Sequence, residues 1–154
     1  MKVNLHDDQW DREREREGFG WRARGLGEAL GSSMIGATLY ELPPGQRSFP
    51  YHYEYGNEEW LLVVAGRPVL RTPEGESTLE PGDLVCFVEG PDGAHQVRND
   101  GDEPVRIVLF STKRLPYVAV YPDSDKLGVW PARGGPDGLV VRRGSAVDYW
   151  EGES

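Results

Sequence analysis

The chain has 154 residues, with 17 Lys and Arg against 26 Asp and Glu, so its net charge is −9 and its length fits one domain. This acidic balance argues against nucleic acid and anionic membranes as partners, so we expect neither. No apolar run approaches the roughly 20 residues of a membrane-spanning helix, and the charged N-terminus lacks the apolar core of a signal peptide, so we expect a cytoplasmic protein.

Residues 1–33 form the least regular part of the sequence. Arg and Glu alternate over Asp11–Glu17, which in a helix would place opposite charges three residues apart and like charges four apart. Because these effects cancel, we predict a solvated N-terminal arm or short turn rather than a helix. Trp10, Phe19 and Trp21 flank the charged run and are expected to pin it to the rest of the protein.

From residue 34 onward, short β-prone segments alternate with turns rich in Gly and Pro. Branched and aromatic residues bounded by such turns are typical of strands. The pattern predicts strands at Met34–Leu42, Arg47–Tyr55, Glu59–Ala65, Val69–Thr72, Glu76–Leu79, Leu84–Val88, Ala94–Arg98, Val105–Ser111, Tyr117–Tyr121 and Leu139–Arg142. Since no amphipathic helix exceeds two turns, the fold class is all-β, an antiparallel sandwich or barrel.

We divide this single domain into the arm, a barrel core over 34–121, and a loop with a C-terminal extension over 122–154. The extension ends in aromatic residues, so we expect Tyr149 and Trp150 to pack on the barrel. The strand containing Trp60–Val64 is apolar on both faces. That pattern predicts that the core covers one face and that the arm or a second copy covers the other, which favours a homodimer.

The single cysteine, Cys86, limits the kinds of site that the chain can build. It stands between Val85 and Phe87 on a predicted strand, where we expect a small buried apolar side chain. One cysteine can form neither an intrachain disulfide nor a thiolate zinc site. Any metal site must therefore use histidine and carboxylate ligands.

The chain has three histidines, and two of them stand near carboxylates. His52 and Glu54 lie two residues apart on a predicted strand, so their side chains leave the same face. Glu59 opens the next strand and can return beside them, while His95 opens a later strand; His6 is expected on the surface. Two imidazoles with one or two carboxylates are a suitable ligand set for Zn, Mn, Fe(II) or Ni.

The spacing of these residues resembles the first sequence motif of the cupin superfamily. Gly45, His52, Glu59 and Gly66 follow the order of that motif. Glu58 is the rival carboxylate, but strand alternation sends it to the opposite face, and the spacing to Gly66 selects Glu59.

The second cupin motif is similar to the stretch from Pro81-Gly82-Asp83 through the following strand to His95 and Asn99. The resemblance implies a jelly roll, an antiparallel double-stranded β-helix, with N- and C-terminal extensions. It also implies one divalent metal ion in the barrel: Zn, Mn, Fe or Ni.

Glu54 stands where the family motif has a second histidine. Two interpretations are open. The metal ligands are His52, Glu54, Glu59 and His95, or Glu54 is a base beside a triad of two histidines and one carboxylate.

The residues and the resemblance together predict a small metal-dependent enzyme acting on a small polar metabolite. The reaction, of dioxygenase, isomerase or lyase type, is unresolved, and no catalytic residue is assigned. The alternative is a non-catalytic cupin module that binds or senses a small molecule. A third interpretation is a structural interaction protein without a metal.

Overall fold

A computed structural model describes residues 2–132 and 137–153. Within these residues the chain forms thirteen strands: β1 (Arg12–Arg14), β2 (Trp21–Gly25), β3 (Ile35–Leu42), β4 (Tyr53–Tyr55), β5 (Glu59–Ala65), β6 (Val69–Thr72), β7 (Gly75–Thr78), β8 (Leu84–Phe87), β9 (Gln96–Arg98), β10 (Val105–Thr112), β11 (Tyr117–Tyr121), β12 (Lys126–Trp130) and β13 (Leu139–Arg142). The described helices are α1 (Leu26–Leu30) and 3-10 turns at Pro91–Gly93, Pro122–Ser124 and Arg143–Ser145. None of these helices has the length and apolarity needed to cross a membrane.

The strands form three antiparallel sheets. One sheet has the order β1-β2-β3-β10-β5-β8, the second β13-β12-β11-β4, and the third β7-β6-β9. The all-β prediction is confirmed, and the strand bounds of β5, β6, β11 and β13 agree with the sequence pattern. The predicted strand over 47–55 is shorter, because it pairs through isolated bridges at Arg47 and His52 before β4 begins.

Apolar side chains from the six-stranded sheet and from the β7-β6-β9 sheet and its adjoining residues fill the interior of the barrel. Nine of them are buried in one cluster: Leu42, Leu61, Val63, Leu70, Leu79, Phe87, Val97, Val105 and Ile107. Burying a side chain of this size stabilises the fold by about 1.5–3 kcal/mol. The cluster therefore stabilises the strands of the barrel against which the histidines and Glu59 lie.

The N-terminal residues cover the outer face of the six-stranded sheet. Leu26, Leu39 and Val108 form a second buried cluster, against which Val3, Leu5, Trp10, Ala37, Leu62, Val64 and Phe110 pack. This cover explains why β5 is apolar on both faces. It also confirms that Trp10 joins the N-terminal segment to the body of the protein.

The predicted solvated arm is wrong over part of its length. Arg12–Arg14 pairs with β2, which pairs in turn with β3, so both segments belong to the large sheet. All three side chains of β1 are exposed. Main-chain hydrogen bonds to β2 therefore hold this segment in place. The prediction from charge spacing considered only a helix and did not include such pairing.

The C-terminal extension also differs from the prediction. The predicted surface loop contains β12, which pairs with β11 and β13, while residues 133–136 of that loop lie outside the described residues. Tyr149 and Trp150 are 83% and 71% exposed and do not pack on the barrel as predicted. Their rings contact each other edge to face, with centroids 4.8 Å apart, so each shields part of the other.

Cys86 is exposed, and the prediction that it is buried is wrong. Strand alternation places Phe87 inside the barrel, so its neighbour faces outward, opposite Trp60 on β5. Ile35, Trp60 and Leu84 leave this outer surface partly apolar, with exposed fractions of 53%, 38% and 57%. The homodimer stays a prediction.

Candidate metal centre

Two histidines lie directly opposite each other on antiparallel segments of the barrel. The His52 N–H donates to the His95 carbonyl at 3.1 Å, and the His95 N–H donates to the His52 carbonyl at 2.8 Å. Residues paired in this way project their side chains to the same face of a sheet. The two imidazole centroids are accordingly 4.8 Å apart.

Glu59 completes the cluster from the first position of β5. Its Oε2 atom lies 3.6 Å from Nε2 of His52 and 3.6 Å from Nε2 of His95. The ligand atoms of these three residues all lie within 4.8 Å of one another. Glu58 does not join them, because its carboxylate accepts a hydrogen bond from Nε1 of Trp60 at 2.7 Å.

The hydrogen bonds behind the histidines prepare both rings to bind a metal. Nδ1 of His52 lies 2.9 Å from the carbonyl oxygen of Pro50, and Nδ1 of His95 lies 2.9 Å from that of Gly93. A carbonyl only accepts, so each Nδ1 is assigned a proton; Nε2 of His95 then keeps a lone pair near Glu59, and Nε2 of His52 does so when that ring is neutral. Metal-binding histidines are oriented by such partners. Two imidazole nitrogens and one carboxylate therefore fit a divalent ion.

Burial and charge favour the protonation states of His95 and Glu59 that can bind a metal ion. Burial lowers the pKa of His95 to about 4, and a positive charge on His52 acts in the same direction, so His95 is neutral near pH 7. Burial raises the pKa of Glu59, but contact with His52 and the charges of both histidines outweigh it, so the net direction is downward. Burial lowers the pKa of His52, but contact with Glu59 outweighs it, and the net direction is upward. Metal binding must therefore compete with a proton at His52.

Glu54 lies in the wall of the same cavity but is not a member of the three-residue cluster found among the described residues. It stands opposite Ala119 where β4 pairs with β11. Burial raises the pKa of its carboxyl to about 7, and Glu59 acts in the same direction, whereas His52 and Asn57 lower it. A buried carboxyl that exchanges its proton near neutral pH is suited to proton transfer.

The cluster lies in a cavity of about 300 Å³ with a largely aromatic wall. Tyr121 stacks near His52, with ring centroids 5.9 Å apart, and burial raises the pKa of its hydroxyl to about 12. Behind the wall, Phe87 of the buried core cluster stacks on His95 at 3.7 Å between centroids. Tyr117 and Trp130 also line the cavity and stack on each other at 4.9 Å.

No sequence motif indicated a site role for Tyr117, Tyr121 or Trp130. Period-2 alternation along β11 places Tyr117 and Tyr121 on one face, which was a usable signal. Trp130 was hidden, since β12 falls in a segment rich in turn residues that predicted a loop.

Gly93 holds His95 in place and leaves no room for a side chain. A Cβ atom built on Gly93 would lie 1.8 Å from the carbonyl oxygen of Val88. Because this contact is with backbone, the loop before His95 must shift. We predict that Gly93→Ala lowers the free energy of unfolding by about 3 kcal/mol and also lowers the metal content.

Urea unfolding and metal analysis on the same preparations check this prediction. Gly144→Ala is the matched control, because a Cβ there meets nothing within 4 Å. Equal stability losses in the two variants, or an unchanged Gly93→Ala protein, would contradict the steric argument.

Comparisons with known proteins show which domain the chain contains. The cupin domain family, Cupin_2, matches residues 38–111, a range that contains the whole His52–Glu59–His95 cluster. The chain contains a cupin domain. The crystal structure of a sugar phosphate isomerase from a cupin superfamily, from Silicibacter pomeroyi, has a TM-score of 0.82 and 27% identity over 95% of both chains. The predicted cupin jelly roll is therefore confirmed.

Other relatives of the cupin domain differ in the extent of the match. A proposed sugar phosphate isomerase from Acidithiobacillus ferrooxidans has a TM-score of 0.78 and 25% identity, covering 88% of this chain and 86% of that one. The bifunctional lysine-specific demethylase and histidyl-hydroxylase NO66 of Branchiostoma floridae is 38% identical over 74 residues, and ribosomal oxygenase 2 of Bos taurus is 29% identical over 90. The chain spans only 12% and 20% of the lengths of these last two proteins.

Proposed function

We propose that this cupin is a divalent-metal-dependent isomerase of a small sugar or sugar phosphate. One observation carries the proposal. His52, Glu59 and His95 converge in a cavity of about 300 Å³ that contains a second carboxylate, Glu54. The whole-length similarity to the Silicibacter pomeroyi isomerase supports the choice of reaction.

Nε2 of His52, Nε2 of His95 and the carboxylate of Glu59 would hold the ion, which the donor set limits to the Zn, Mn, Fe or Ni class. When bound, a divalent ion polarises a carbonyl oxygen of the substrate. Glu54 is not one of these three ligands, so we assign it a different role.

Glu54 moves the proton. In an aldose–ketose interconversion, a proton leaves the carbon beside the carbonyl and is returned to the former carbonyl carbon, while a hydroxyl proton changes oxygen. The reaction needs no co-reactant, and one carboxylate can carry the carbon-bound proton in both directions. Tyr121 keeps its hydroxyl proton, since its pKa is raised to about 12, and supplies a donor for a substrate oxygen.

An adjoining cavity supports a phosphorylated substrate. It has a volume of about 360 Å³, shares Glu54 and Glu59 with the metal cavity, and is also lined by Lys113 and Arg114. Cationic side chains are the usual partners of a phosphate group. A sugar at the metal centre could thus place its phosphate among these two side chains.

The test is an isomerisation assay on metal-loaded protein. Aldose and ketose phosphates would be followed by NMR in ²H₂O, where proton transfer through Glu54 should place deuterium on carbon. Activity should disappear with a chelator and return with one of the four candidate ions. Metal-loaded protein that binds these sugars saturably without turnover would contradict the isomerase and favour a non-catalytic binding module.

Oxygenation is a second candidate function, favoured by the donor set itself. Two histidines and one carboxylate with open positions are typical of non-haem Fe(II) oxygenases. Two of the partial relatives are named a hydroxylase and an oxygenase. This candidate predicts oxygen uptake by iron-loaded protein in an oxygen electrode, whereas isomerisation without oxygen uptake would contradict it.

A further inference from the structure

A second cavity, of about 650 Å³, is larger than the metal cavity, and the two linings share only Pro50. We call it the basic groove. Six cationic side chains line it: Arg14, Arg16, Arg47, Arg71, Arg98 and Lys126. The carboxylates among its described lining residues are Glu76 and Asp123. The groove therefore carries a positive charge, although the chain as a whole has a net charge of −9.

Two of the six cations are neutralised and form a fixed part of the wall. Arg71 donates two hydrogen bonds to the carboxylate of Asp123, at 2.6 and 2.9 Å, and its guanidinium lies 3.9 Å from the ring centroid of the buried Tyr51. Arg98 donates to Glu76 at 2.7 Å and to Asp100 at 2.8 Å. These arginines have carboxylate partners within the protein.

The other four cations have no carboxylate partner among the described residues. Arg14, Arg16, Arg47 and Lys126 form no ion pair within 4.0 Å there. Three of them lie over aromatic rings: Arg14 over Trp21 at 5.3 Å, Arg47 over Phe19 at 5.6 Å and Lys126 over Tyr121 at 5.6 Å. Cations held in this way around a concave surface concentrate a positive potential.

Three separate parts of the chain supply these four side chains. Arg14 ends β1 and Arg16 follows it, Arg47 lies between β3 and β4, and Lys126 opens β12. Three of the four stand outside residues 38–111, which match the cupin domain. The N- and C-terminal extensions therefore meet at the barrel to form a cationic site.

We propose that the basic groove binds a small polyanion, a metabolite with two or more phosphate or carboxylate groups. Guanidinium groups bind both kinds of oxyanion through charge-assisted hydrogen bonds. The volume of the groove is that of a small-molecule site. The site is distinct from the metal centre, and the proposal does not depend on the isomerase activity.

Calorimetric titration with inorganic pyrophosphate and, separately, with citrate tests this proposal. We expect saturable binding of at least one probe, and the stronger one identifies the anionic group. Arg16 and Arg47 are exposed, so Arg16→Gln/Arg47→Gln should fold normally and lower the affinity about tenfold or more. Binding of neither probe would overturn the proposal.

Two further variants show where the anion binds. Arg12→Gln/Arg67→Gln removes the same charge from two exposed arginines that line neither the groove nor the cavities beside the metal cluster, and its affinity should match that of the parent. Glu59→Gln should also bind the probe with unchanged affinity, because it alters only the metal cluster. An equal loss in the arginine control, or a loss in Glu59→Gln, would assign the anion to another site and overturn the proposal.

Discussion

His95→Ala should lose nearly all bound metal and all metal-dependent turnover. His95 is 4% exposed and supplies one of three clustered ligand atoms, and the two donors that remain are too few to hold a divalent ion firmly. Metal analysis by plasma mass spectrometry, on protein purified without a His-tag, measures the effect. Wild-type protein should hold one ion per chain.

His6→Ala is the matched control, because it removes an exposed histidine far along the chain from the cluster and should keep its metal. The imidazole of His95 stacks on Phe87, so truncation also leaves a gap. His95→Asn, which keeps a polar side chain, and circular dichroism of both variants separate misfolding from ligand loss. A folded variant that retains a full complement of metal would contradict the proposed centre.

Glu54→Gln should keep its metal while turnover falls about a hundredfold or more, the usual contribution of a positioned acid or base. The amide cannot accept and return a proton, but it preserves the size of the side chain. Metal content and turnover must be measured on one preparation. The result separates the two interpretations of Glu54 that the sequence leaves open.

Glu58→Gln is the control for this second prediction. It removes the carboxylate just before β5, which accepts a hydrogen bond from Trp60 and lies outside the cluster, so both metal and turnover should be retained. Loss of metal from Glu54→Gln would instead identify Glu54 as a fourth ligand. Full activity in that variant would exclude Glu54 from proton transfer.

Sequence patterns predicted the elements whose signals are local. The run Glu59–Ala65 is apolar and closed by Gly66, and it forms β5 with those bounds. The pairing of His52 with His95 depends on residues more than forty apart, and only the motif spacing indicated that they meet. Glu59 lies in the cluster and Glu58 lies outside it, as alternation of adjacent side chains in an extended chain predicts.

The errors arose where tertiary pairing decided the outcome. Arg12–Arg14 has a charged pattern with no strand signal, and it is a strand because β2 offers main-chain partners. Lys126–Trp130 looked like loop because Gly and Pro surround it, yet it lies between β11 and β13. Cys86 was judged from its apolar neighbours, whereas alternation beside the inward-facing Phe87 determines its exposure.

The main-chain bridge between His52 and His95 has a consequence for how the proposed metal centre would distinguish one ion from another. Two reciprocal hydrogen bonds join the residues, and the carbonyls of Pro50 and Gly93 fix the two rings. The nitrogen donors therefore hold their spacing before any ion arrives, and little conformational entropy is lost on coordination. Discrimination among divalent ions by the proposed centre would then rest on ligand hardness and on how many positions stay open to solvent, more than on a change in the spacing of the two nitrogen donors.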